Sequence, residues 1–341
     1  MKTLVGRKII LVGGAGFIGH HLAIRLKKLG AQVTVLDSLM INNYYHYLQQ
    51  KHVPNAEIYL KLTQKRLDLL KEHGIRLIEV DARDYRFIGF LLCEIPCDTL
   101  IHLAAVAHAD KSNKDPYSTI DHSIRTLENT LDVARTNHND INHFIFFSSS
   151  MVYGNFNSGI VTEDTPCDPI GIYGALKYCA EKIIKAYKEA FGLAYTIIRP
   201  SALYGERCVS RRVGQIFIEE ALKKGEISIT GDKTSSLDFT YIDDLVNGVM
   251  KVLENDNSRN QTFNMTYGEA RTIKQMADIV KEFFPNIKIN YQSKDKLTPD
   301  RGTLDVKKAR EMLSYNPQYP LESGYRKYIE WYMKSWESLK S

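Results

Sequence analysis

The apolar run KIILV at 8–12 leads straight into glycines at Gly13, Gly16 and Gly19 and then into an amphipathic stretch from Phe17 to Leu29, which stops at Gly30. No other feature restricts the fold of this chain as much. A buried strand, a tight turn and a helix in this order open a parallel α/β sheet. The spacing G-x-x-G-x-x-G lets backbone approach a pyrophosphate, packs the helix closely on the strand and sets the phosphate at the positive helix N-terminus. A second strand, QVTVLD, ends at Asp37. An acid there accepts hydrogen bonds from an adenosine ribose and repels a 2′-phosphate, and no arginine follows it in VLDSLMINN. NAD is therefore favoured over NADP.

Further buried-type runs at 76–80, 99–104, 143–148 and 195–200 are separated by helical segments, the pattern of a parallel sheet covered on both faces. The interval 38–74 exceeds a simple crossover. It carries Tyr44, Tyr45 and Tyr47 and then a basic, leucine-bearing stretch, which reads as one or two extra helices on the sheet edge. After Pro200 the elements become shorter and mixed: a helix near 215–224, a strand at 227–230, a strand and helix at 239–253, a strand at TFNM, and helices from Thr272 and Leu321. The expected architecture is an α/β, Rossmann-type, doubly wound parallel sheet from 1–200 and 237–265 that binds NAD. A smaller mixed α/β lobe from 201–236 and 266–335 is expected to bind substrate.

A chain of 341 residues can hold both units. No apolar run approaches a membrane span and no secretory signal is visible, so a cytoplasmic protein without a membrane partner is expected. The five cysteines lack metal-ligand spacing and read as reduced, with no metal site. A net charge of +5 suits a small anionic substrate better than nucleic acid. The histidines, including His20, His21, His102 and His108, read as structural.

The strand HFIFFS ends in Ser148, Ser149 and Ser150, and downstream Tyr173 and Lys177 form a Y-x-x-x-K pair. The same spacing recurs at Tyr47/Lys51 and Tyr178/Lys182, but only Tyr173 follows a serine-ended strand and starts a helix. A serine, a tyrosine and a lysine downstream of a dinucleotide loop are the groups needed to move a hydride off a carbinol.

With these motifs the chain resembles the extended short-chain dehydrogenase/reductase family, in particular its nucleotide-sugar epimerases and dehydratases, typified by UDP-glucose 4-epimerase. The resemblance spans nearly the whole chain and includes DARD from Asp81, HLAA from His102, IRPSALYG from Ile198, DFTYIDD from Asp238 and RGTLDVKKA from Arg301. It implies that NAD is held by Gly13, Gly16, Phe17, Ile18, Gly19, Asp37, Asp81, Ala82, Leu103, Ala104, Ala105, Tyr173 and Lys177. It makes Tyr173 the acid/base on the sugar hydroxyl, Lys177 the ligand of the nicotinamide ribose and Ser149 the hydrogen-bond partner of the reacting oxygen. Lys177 lies one turn from Tyr173, and its ammonium would favour the tyrosinate.

Met151 occupies the place where the family's dehydratases carry a glutamate, and a thioether moves no proton. The residues that remain suffice for reversible oxidation at C4, so a 4-epimerase is expected; a nucleotide-sugar dehydrogenase or reductase, a 4,6-dehydratase and a non-catalytic NAD(H)-binding regulator are the alternatives. Ser150, Met151 and Ala202 are expected to touch the substrate. The family's diphosphate arginine and two of its asparagines are replaced by Leu237, Ala202 and Ser123, so Arg211, Arg212 and Arg301 become the candidates for the diphosphate. Gly302 falls at the family's gate on sugar size, where a glycine leaves room for an acetamido group. By the same resemblance the chain forms a homodimer through the helix bearing Tyr173, with Cys179, Ile183, Ala186, Tyr187 and Ala190 as its apolar face.

Overall fold

The computed structural model describes residues 2–49, 53–104, 106, 109–136, 141–231, 234–292 and 298–340. Its seven main strands are β1 (Lys8–Val12), β2 (Gln32–Asp37), β3 (Arg76–Glu79), β4 (Thr99–His102), β5 (His143–Phe147), β6 (Tyr195–Arg199) and β7 (Gln261–Asn264). They lie in the order β7-β6-β5-β4-β1-β2-β3 with every neighbouring pair parallel. Chain order reverses between β1 and β4, which opens a crevice beyond their carboxyl ends. Register brings Val12 beside both Leu36 and His102, and His102 beside Phe146, so the residues that follow each strand emerge along one edge.

The strands are continuous apolar runs because both faces are buried. Ile9, Leu11, Val35, Ile101 and Ile145 point into one core, and Ile10, Val12, Leu36, Leu100, Phe144 and Phe146 into the other, with the two-residue period of a strand. The longer helices that cover them and the second group of elements are α1 (Phe17–Lys28), α2 (Tyr44–Gln49), α3 (Ala56–Glu72), α4 (Tyr85–Glu94), α5 (Thr126–Ala134), α6 (Gly171–Phe191), α7 (Val213–Lys224), α8 (Ile242–Glu254), α9 (Ile273–Phe283) and α10 (Leu321–Lys340).

The 38–74 interval forms two helices, as its pattern suggests, but its role is wider than edge packing. Besides touching β3, α3 lies against α1 and α10. Tyr47 donates to the carbonyl of Val209 at 2.8 Å. The buried carboxylate of Glu219 in α7 accepts hydrogen bonds from Asn55, Tyr59, Gln215 and Tyr332 at 2.6 to 2.8 Å. The interval thus bridges the sheet and the elements that follow Pro200.

Candidate active site

A cavity of about 150 Å³ lies at the crevice, walled by Gly13, Gly16, Phe17, Ile18, Gly19, Asp37, Asp81, Ala82, Leu103 and Ala104. Ala105 lies outside the described residues. Gly13 has a φ of +79°, and a Cβ there would sit 2.7 Å from the amide nitrogen of Ala104. A Cβ on Gly19 would come 2.5 Å from the Cα of Gly14, so the close seat of α1 on the turn requires glycine. Gly16 is different, since the nearest atom to its Cβ position is a carbonyl oxygen 3.3 Å away. No side chain caps α1, which leaves its dipole and first amides facing the open side of Gly16. That cradle fits a dinucleotide phosphate.

Asp37 serves the turn as well as the cavity. Its carboxylate accepts from the amides of Ala15 at 2.9 Å and Leu39 at 2.8 Å. Burial raises its pKa, against the pull of those amides and of Arg66. The motifs do not reveal Arg66, Ser210, His122 and Thr126, which also line this cavity. A π-helical turn at Asp121–Arg125 helps to present His122 and, just beyond it, Thr126, in keeping with the frequent use of π turns at binding sites.

A second cavity of about 340 Å³ adjoins the first and shares Ile18, Leu103, Leu203 and Arg212 with it. It brings together Ser149, Ser150, Met151, Tyr173, Lys177, Ala202, Arg211, Arg212 and Arg301. Helix α6 grips the end of β5 at four-residue intervals. Tyr173 lies beside Ser149 in the cavity wall, Lys177 Nζ donates to the carbonyl of Phe147 at 2.6 Å, and Glu181 accepts from Ser148 Oγ at 2.5 Å. Ser148 is thereby turned away from Tyr173, and Ser149 is the serine presented to it. A Cβ on Gly174 would lie 2.7 Å from the carbonyl oxygen of Met151, so a glycine beside Tyr173 lets α6 start against the serine turn. Behind this contact Arg199 forks onto Glu181 at 2.9 and 2.6 Å and reaches the hydroxyl of Tyr153 at 2.8 Å. The Tyr178/Lys182 pair forms a cation–π contact of 5.3 Å away from both cavities.

The electrostatics differ in one respect from the expectation. Burial raises the phenol pKa of Tyr173, and the groups that oppose it are Arg212, Ser149 and Arg301 rather than Lys177. Burial also draws Lys177 down to about 8, against Glu181, which raises it. Arg301 is pulled down to about 10 by burial, and its Nε has no hydrogen-bond partner; the buried Ser150 Oγ has none either. Arg211 turns partly outward, donating to the carbonyl of Pro54 at 3.3 Å. Gly302 is not a gate: a Cβ there would meet the carbonyl oxygen of Gly159 at 2.1 Å, and the cavity wall is formed by Arg301 instead. The pairing of Thr303–Leu304 with Ile160–Val161 imposes that placement. His20 and His21 are absorbed by packing, with Nδ1 of His20 2.8 Å from the carbonyl of Gly16 and Arg207 donating to both rings.

A parallel sheet with a glycine-lined crevice beside a serine, tyrosine and lysine cavity defines a dinucleotide-dependent enzyme. The chain belongs to the NAD dependent epimerase/dehydratase family, whose model matches residues 9–266, and NAD is its cofactor. It is 30% identical to an uncharacterized UDP-glucose epimerase of Bacillus subtilis over 93% of this chain and 95% of that protein. It is 27% identical to UDP-glucuronate 4-epimerase 1 of Arabidopsis thaliana over 96% of this chain and 77% of the relative. Among solved structures, UDP-glucuronic acid 4-epimerase from Bacillus cereus in complex with UDP-glucuronic acid and NAD superposes with a TM-score of 0.84 at 26% identity, covering 96% of this chain and 99% of the other.

Proposed function

We propose that the protein is a nucleotide-sugar 4-epimerase, which oxidises C4 of the sugar transiently and reduces it again on the opposite face. The observation that carries this reading is the make-up of the second cavity. Among the described residues it is lined by Ser149, Tyr173 and Lys177 and by the cations Arg211, Arg212 and Arg301, with no carboxylate, imidazole or thiol. Elimination of water from the sugar needs a further proton acceptor, and Met151 stands where one would act.

Tyr173, as phenolate, takes the proton of the 4-hydroxyl and later returns it. Ser149 holds the reacting oxygen beside the phenol. Lys177, anchored on Phe147, orients the nicotinamide ribose. NAD, when bound, supplies the acceptor and donor of hydride. Arg301 and Arg212 hold the diphosphate, a task for which Leu237 and Ala202 offer no polar side chain. The relatives favour a uridine diphosphate sugar as the substrate class. On this reading 1–200 and 237–265 serve the cofactor, and 201–236 and 266–335 the substrate. The molecule acts as a cytoplasmic homodimer through α6, where Cys179, Ala186 and Ala190 are exposed beside half-buried Ile183 and Tyr187.

The test is NMR of purified enzyme with a panel of nucleotide sugars. C4 epimers should interconvert without added NAD, and Tyr173→Phe should slow this by roughly 10²- to 10⁴-fold. Release of a 6-deoxy-4-keto sugar, or of NADH in proportion to product, would overturn the reading.

A further inference from the structure

The helices of the 38–74 interval deliver a guanidinium group to the cofactor cavity. Arg66 of α3 is fully buried and lines that cavity together with Gly16, Asp37 and Ser210. Its Nε and Nη2 donate to the carbonyl of Arg207 at 3.0 and 2.5 Å, whereas Nη1 has no partner. Asp37 acts on it through space, without a direct ion pair. Burial draws the group down to about 10, which leaves it a cation at neutral pH. A buried cation bonded to one carbonyl is unfavourable unless an anion completes its surroundings.

Each cavity therefore contains one arginine with a buried nitrogen left unbonded, Arg66 in the first and Arg301 in the second. A dinucleotide brings a diphosphate to the first. We propose that Arg66 binds the pyrophosphate of NAD, across the cavity from the N-terminus of α1, so that the 38–74 helices form an outer wall of the cofactor site. A planar guanidinium matches two phosphate oxygens, and the free Nη1 is the donor available for them. The 2′-position of the adenosine ribose is a poorer target, because the acid at Asp37 disfavours a phosphate there. The anchoring carbonyl of Arg207 belongs to the loop that also supplies Ser210 and Arg212 to the cavity wall. Cofactor, interval and loop are thus fastened at one residue. The inference rests on NAD alone and stands whichever sugar or reaction the second cavity serves.

The experiment compares the full-length wild type with Arg66→Met, which keeps most of the side chain's apolar bulk, and with Arg66→Lys, which keeps the charge. NAD retained per chain after purification is quantified, and ADP, adenosine and NADP are titrated calorimetrically into protein stripped of nucleotide. In Arg66→Met, ADP affinity should fall about 10- to 100-fold, as for the loss of one charge-assisted contact. Retained NAD should fall with it, adenosine affinity should not change, and Arg66→Lys should fall between the two. Unchanged ADP affinity would overturn the proposal. So would equal losses for ADP and adenosine, which mean collapse of the wall, or a loss confined to NADP, which means readout of a 2′-phosphate.

Discussion

Tyr173 stands between burial, which keeps its phenol protonated, and the charges of Arg212 and Arg301, which favour the phenolate. If the phenolate is the proton acceptor, the rate of sugar oxidation rises with pH through the Tyr173 pKa. Taking away the charge of Arg212 removes a lowering influence, so Arg212→Gln should move the rising limb of kcat/KM to higher pH, while Arg212→Lys should leave it in place. Loss of one charge-assisted hydrogen bond to substrate should also cost roughly 10- to 100-fold in kcat/KM. A pH–rate profile separates the two effects, and a limb that does not move would confine Arg212 to binding.

At the level of elements, the active-site geometry depends on the hold of α6 on the end of β5, and the buried Glu181–Arg199 pair backs that hold. Glu181→Gln should lower stability by about 3–5 kcal/mol, because it leaves Arg199 buried without its partner, while joint replacement by Leu and Met should cost less. Urea unfolding of the single and double variants measures both. The strands that carry the site were legible because burial on both faces makes them unbroken apolar runs, as at Ile9 to Val12. The strand Lys288–Gln292 is mostly exposed and polar, and the two-residue pairs are set by tertiary contact, so neither has a period to read. That Ser149, Tyr173 and Lys177 line one cavity was legible from order and spacing. Arg66 was not, because Lys61, Lys65 and Lys71 share its helix, and only the distant Arg207 and the cavity distinguish it. Gly302 was misplaced for a similar reason, since its neighbour across the chain is Gly159.

Across the whole molecule, His21, His102 and His143 are each held near pH 3 by burial, far below the 6.5 of an unfolded histidine. Between those values the unfolded chain binds more protons. The contribution of these neutral rings is therefore fully present above pH 6.5 and is lost as pH falls toward 3, at about 1.4 kcal/mol per pH unit for each. Asp238, raised to about 7 by burial, works in the opposite sense but is outnumbered, so urea midpoints should still drop from pH 7 to pH 5, and a flat profile would contradict the dominance of the rings. The hub at Glu219 has a different kind of consequence. It joins Asn55 and Tyr59, next to the cofactor wall, to Tyr332 in α10. A ribosome makes the former long before the latter, so the hub is completed only once residue 332 has been translated and folded back. The last strut behind the wall that bears Arg66 is thereby a late arrival in the biogenesis of this protein, long after the glycine turn at Gly13 to Gly19 has been made.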